Sequence, residues 1–284
     1  MRIWLCSIFI SSMAFAQLPE TDIFLFKVEK KDSVYVLKNP LNISHRKGYD
    51  NQPIFNSDNK SILYVRIDST QQADVMQYQI SKKQTTYLTK TEVSEYSPNI
   101  SPDGKSFTCV VVEKDSTQRI WKYGLDGTFQ SILNEATDSV GYYTWLNQDS
   151  LLYYKLTNPH SLRVLDLKNQ TDKWLCNNPT RAFKKVNYSL FVYAVKNATN
   201  TEFRIYNPTL RESKWYCVAN ATYEDFLWHP VFGLVVSDEA ELKRYNEKTQ
   251  NWEVLFSLAS FGITKITRFN FDSKTKQLVV VSHL

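Results

Sequence analysis

Six aromatic positions carry the recurrent chemistry of this chain. Tyr49, Tyr96, Tyr142 (with Tyr143), Phe183, Tyr223 and Phe261 each stand just ahead of a short apolar alternation. Aromatic faces gathered at one place could stack sugar rings or seat the anchor side chains of a peptide. The bland alternative is that the same six fill wedges between packed sheets. Catalytic signatures are missing: there is no GxSxG elbow, HExxH, P-loop or GxGxxG. His45, His160, His229 and His283 are scattered, each beside a turn or at the terminus, so a metal site would need the fold to bring them together. Asp58 and Asp103 lie in turn sequences. There a carboxylate caps backbone N–H groups, a simpler role than calcium binding or catalysis. The residues therefore nominate no catalytic, cofactor-binding or metal-binding side chain.

What would position the aromatics is a repeated unit, clearest in Tyr96–Leu133. Ser101-Pro102-Asp103-Gly104-Lys105 makes a turn: Pro102 presets φ, Asp103 caps, and Gly104 supplies φ > 0. Phe107, Cys109 and Val111 then alternate with Thr108 and Val110, the pattern of a strand buried on both faces or nearly so. A polar tip at Lys114–Gln118 leads to a strand over Arg119–Tyr123. Asp126-Gly127 reads as a two-residue hairpin before a last strand ending at Leu133. One such sheet cannot bury its own faces, so copies are expected.

Copies are present. Five pairs of aromatic or aliphatic residues recur ten positions apart across a polar turn: Tyr78/Leu88, Tyr123/Leu133, Leu165/Leu175, Tyr206/Tyr216 and Tyr245/Leu255. First strands recur at Ile54-Phe55, Asn99-Ile100, Thr144-Trp145, Lys185-Val186, Leu227-Trp228 and Arg268-Phe269. The period of roughly 40 to 46 residues is that of four-stranded propeller blades. The start of the chain offers two strands without a first half; the end offers two without a second. Joined, they make one blade and leave no open edge. The expectation is an all-β, six-bladed β-propeller of four-stranded antiparallel blades in a single domain over residues 17–284. Its blades lie near 53–97, 98–143, 144–183, 184–225 and 226–265, with the last closed by 266–284 plus 22–46.

Residues 1–16 read as a signal peptide: Arg2, an apolar run over Ile3–Met13, and Ala14-Phe15-Ala16 as the cleavage site. The destination is periplasmic or secreted. No later apolar run is long enough to span a bilayer. Cys109, Cys176 and Cys217 remain after cleavage, an odd number that leaves at least one thiol free. Cys109 reads as a core residue. Cys176 and Cys217 occupy equivalent outer-strand positions, and whether they pair is left open. Net charge is +5, with both signs interspersed rather than in a basic stripe, which speaks against a nucleic-acid partner.

Tyr96–Lys105, with its Ser-Pro-Asp-Gly turn, and Ile120–Gly127, with its Leu-Asp-Gly, resemble the WD40-like repeat of TolB-type β-propellers. Asn56–Lys60 is similar to a degenerate copy and Phe271–Lys274 to a fainter one. The resemblance implies an exported propeller of the stand-alone kind, since the repeats start close to the cleavage site. Propeller lyases acting on acidic sugars are similar in fold, but none of their His and Gln ligands can be placed on this sequence. Two functions follow as expectations. One is a non-enzymatic, monomeric scaffold that binds a protein or envelope component, or a carbohydrate, through its channel face. The other is an enzyme acting on carbohydrate or peptide with unrecognised channel residues. No cofactor is expected, with a channel-bound metal ion left open.

Overall fold

The computed structural model describes residues 18–283. The signal-peptide reading of residues 1–16, and Cys6 with it, lies outside the described residues. Within them the chain is strand after strand, interrupted by a 3₁₀ turn at Ala259–Phe261. No helix among the described residues is long and apolar enough to cross a membrane.

The first hairpin is β1 (Thr21–Lys31) and β2 (Val34–Asn42). A four-stranded meander follows: β3 (Tyr49–Phe55), β4 (Ser61–Ile67), β5 (Ala73–Gln79) and β6 (Gln84–Tyr87). The second is β7 (Ser94–Ile100), β8 (Ser106–Val112), β9 (Gln118–Gly124) and β10 (Phe129–Ile132). The third is β11 (Val140–Asn147), β12 (Ser150–Lys155), β13 (Ser161–Asp166) and β14 (Thr171–Asn177). The fourth is β15 (Pro179–Lys185), β16 (Phe191–Lys196), β17 (Thr201–Asn207) and β18 (Glu212–Ala219). The fifth is β19 (Phe226–His229), β20 (Gly233–Asp238), β21 (Glu241–Asn246) and β22 (Asn251–Ser257). β23 (Ile266–Phe271) and β24 (Gln277–His283) complete the series.

The second to fifth meanders are separate four-stranded antiparallel sheets. The first belongs to an eight-stranded sheet with both chain ends. There β24 pairs antiparallel with β1 from Thr21↔His283 to Lys27↔Gln277, while β2 flanks β1 on its other side. The ends thus build β23-β24-β1-β2, four antiparallel strands drawn from two distant parts of the sequence. β1 meets β3 through one parallel pair, Thr21↔Tyr49. That junction is fastened by side chain as well: Thr21 Oγ1 donates to Asp50 O at 2.9 Å, and Thr21 N to Gly48 O at 3.0 Å. On the outside, Asn59 Nδ2 donates to Ser273 Oγ at 2.7 Å.

Each sheet packs on the next in chain order, and β23 and β24 pack on β3, so the succession returns to its start. The alternation read from the sequence explains how. On β8, Phe107, Cys109 and Val111 face β4 and β5, while Val110 faces β11 and β12. The ten-residue pairs acquire a meaning the spacing alone did not give. The first member of one pair packs with the second member of the pair before it: Tyr123 with Leu88, Leu165 with Leu133, Tyr206 with Leu175, and Tyr245 with Tyr216. Each pair therefore bridges two wedges, and burying each such side chain contributes about 1.5–3 kcal/mol.

The wedge between the first two meanders also holds a carboxyl group. Glu95 is fully buried. Its Oε1 accepts from Thr91 Oγ1 at 2.5 Å and Tyr123 Oη at 3.3 Å, and its Oε2 from Thr89 Oγ1 at 3.3 Å. Burial outweighs these bonds and raises its pKa to about 7.

Two sequence readings are corrected. The innermost strands begin at Tyr49, Ser94, Val140 and Pro179, four or five residues ahead of the starts expected near Pro53, Pro98, Thr144 and Lys184. Pro53 and Pro98 sit inside strands because the register slips there, between Asn51 and Ile54 and between Tyr96 and Asn99. A bulge needs no ladder N–H from its extra residue, so it tolerates proline. The Asp126-Gly127 hairpin has a three-residue loop closed by Gly124 N to Thr128 O at 2.8 Å, rather than two residues. Gly127 takes φ +85°, and a Cβ there would lie 1.8 Å from Leu88 O of the neighbouring sheet. Asp58 and Asp103 sit as turn caps: each Oδ1 accepts a backbone N–H two residues on, from Lys60 and Lys105, at 2.9 Å.

Candidate functional site

The inner strand of every sheet carries a bulge or ends close to one point, and there the chain lines a cavity of about 80 Å³ that opens to solvent. Gln52 (β3), Ser97 (β7), Tyr142 (β11), Arg181 and Lys184 (β15) and Arg268 (β23) line it, with Asp225 just ahead of β19. We refer to it as the channel. Gln52 and Ser97 have φ of +58° and +52°, each directly before a proline. That left-handed conformation is unfavourable for a non-glycine residue, by about 1–3 kcal/mol. A bond between the two sheets helps hold it, since Ser97 N donates to Gln52 Oε1 at 2.5 Å.

The channel is electropositive. Arg181, Lys184 and Arg268 face a single carboxylate, Asp225, and Arg268 Nη1 lies 3.9 Å from Asp225 Oδ2. The Arg268 guanidinium also sits 5.4 Å from the centre of the Tyr142 ring, a cation–π arrangement. Arg181 reaches across to β23, where its Nη2 donates to Thr267 O at 2.8 Å. Its Nε is buried and has no acceptor among the described residues; the same holds for Ser97 Oγ. Burial, with Arg268 nearby, pushes the pKa of Arg181 down. Lys184 keeps part of its surface open to the channel yet is walled in by protein, and that desolvation lowers its pKa as well.

The six aromatics do not come together as one surface. Tyr142 and Phe183 line the cavity, and Phe183 is 3% exposed. Tyr49 and Tyr96 stand beside them: the charges of Arg268 and Arg181 and the rings of Tyr142 and Tyr96 all act on the Tyr49 hydroxyl, although burial dominates and raises its pKa. Tyr223 lies instead against Trp252, at 6.2 Å between ring centres, and Phe261 against Phe26, at 5.2 Å. Each of the six also touches a wedge core. The sequence reading missed Arg181, Lys184, Asp225 and Arg268. The signal was a charge at the polar positions of the inner-strand alternation, as in Thr180-Arg181-Ala182-Phe183 and Thr267-Arg268-Phe269.

The histidines and cysteines stay apart from the channel. His229 is buried in a ring stack with Phe232 and Phe271, and burial lowers its pKa to about 4. Cys109, Cys176 and Cys217 are free thiols, so the outer-strand cysteines are not paired. Among the described residues no three His, Cys, Asp or Glu side chains gather in a way that could hold a metal ion.

Among solved structures, one described as a putative TolB from Agrobacterium tumefaciens superposes with a TM-score of 0.69 at 11% identity, over 94% of this chain and 99% of that one. The protein has the fold of a TolB-like β-propeller. A gluconolactonase from Xanthomonas campestris aligns at TM-score 0.62 and 8% identity, over 91% of this propeller and 95% of its own chain. An oligogalacturonate lyase in complex with manganese aligns at 0.58 and 10%, over 88% and 82%. At such identities the likeness concerns the fold alone. No family model matches the sequence, and no curated protein matches it.

Proposed function

We propose that the protein is an exported, monomeric, six-bladed propeller that binds a protein or envelope component through its channel face and catalyses no reaction. In this reading the eight-stranded sheet counts as two blades joined by the Thr21↔Tyr49 pair, and the blade built from both chain ends closes the ring. The observation that carries the functional part is convergence. Side chains from widely separated stretches meet at one small cavity, where an aromatic face, Tyr142, lies beside half-buried positive charge. Buried or half-buried Arg and Tyr of this kind are the residues that dominate binding hot spots. An enzymatic role on carbohydrate remains the alternative reading, motivated by the names of the lyase and lactonase neighbours.

A panel of envelope peptides and glycans, screened by thermal unfolding, tests this. A ligand at a hundred times its dissociation constant stabilises by about 2.7 kcal/mol, well within detection. We expect at least one member of the panel to raise the melting temperature of the wild type and not that of Tyr142→Ala. Hits indifferent to Tyr142, or turnover of a hit by the wild type, contradict the reading.

A further inference from the structure

We propose that the channel is a carboxylate site: it takes a single small carboxylate group, free or at the end of a peptide, between Arg181, Lys184 and Arg268. This rests on the channel being the binding face and names the chemistry it recognises.

Three observations carry it. The first is charge: three cations line the cavity against one carboxylate, and the closest approach between opposite charges there, Arg268 to Asp225, is 3.9 Å. Gathering like charges in a poorly hydrated space is costly unless an anion offsets them. The second is donors left over. Arg181 Nε and Ser97 Oγ, on the inner strands β15 and β7, are buried without a partner among the described residues. An unmet buried donor costs about 1–3 kcal/mol, a cost that an oxyanion accepting from Arg181 relieves. The third is size. A cavity of about 80 Å³ has room for a carboxylate with a few waters. A larger ligand would present an acidic end to these cations. The guanidinium fork suits a planar carboxylate.

The test is calorimetric titration of the full chain with sodium acetate, inorganic phosphate, triglycine and triglycine amide, at ionic strength held constant with sodium chloride. Folding of each variant is first checked by circular dichroism. We expect acetate and triglycine to bind and the amide to bind at least tenfold more weakly. Arg268→Gln should weaken acetate at least tenfold. Asp225→Asn, which removes the internal competitor, should tighten it several-fold, and it serves as the deciding variant if Arg268→Gln does not fold. Phosphate binding without acetate binding overturns the proposal, as does no binding at all, or acetate binding that ignores both variants. If acetate fails while panel ligands still depend on Tyr142, the carboxylate proposal falls and the channel-face reading survives.

Discussion

Tyr142 and Tyr143 are neighbours on one strand and both border the channel, yet Tyr143 is set in a wedge core while Tyr142 only touches one. Tyr143 is 6% exposed, packs with Leu151, Tyr153 and Leu165, and donates to Thr108 Oγ1 at 2.7 Å. Tyr142 looks into the channel under the Arg268 guanidinium. The wedges are apolar, periodic and built from residues that recur in every sheet. The channel is charged, and most of its residues change from one inner strand to the next. The repeat makes the fold, and departures from the repeat make the site.

The contrast can be attacked first at the wedge. Gly127→Ala should cost about 4 kcal/mol or more, because φ +85° disfavours any side chain and Leu88 O stands 1.8 Å from the new Cβ. A urea midpoint close to wild type would mean that the second sheet is not seated on the first as described.

Glu95 gives a wedge its own pH dependence. Its pKa in the fold, about 7, lies above the ordinary 4.5, so the fold favours the neutral acid. The associated stability is full below pH 4.5, is lost as pH rises from there to about 7, and changes no further above. The loss is roughly 3 kcal/mol. Between pH 4.5 and pH 8 the unfolding free energy of wild type should fall by this much relative to that of Glu95→Gln, since buried His229, held near 4, shifts both proteins equally in the opposite sense; equal pH dependence in the two proteins would refute the assignment.

Thr21→Val probes the junction of the chain ends at a smaller scale. It removes the hydrogen bond to Asp50 O from a site 1% exposed, and about 1–2 kcal/mol should be lost. An unchanged midpoint would show that side-chain fastening contributes nothing there.

The wedges were legible in the sequence because burial on both faces leaves long apolar alternations, and Phe107, Cys109 and Val111 could mean little else. The joining of Ile266–Phe271 and Gln277–His283 to the first hairpin was legible too, since each end lacked what the other had. The channel was not. Aromatics were sought there because they recur, and recurrence selects for packing: Tyr223 and Phe261 proved to pack on Trp252 and Phe26. Arg181 and Arg268 stand in matching Thr-Arg pairs of only two inner strands, too few copies to read as a repeat, and each lies at a register slip that no propensity indicates.

The unfolding free energies of Tyr142→Ala and Tyr143→Ala probe the separation between channel and wedge. Tyr143→Ala should lose about 3–5 kcal/mol, as for a large core aromatic, and Tyr142→Ala at least about 2 kcal/mol less. Equal losses would place Tyr142 in the packing and leave the channel without its aromatic face.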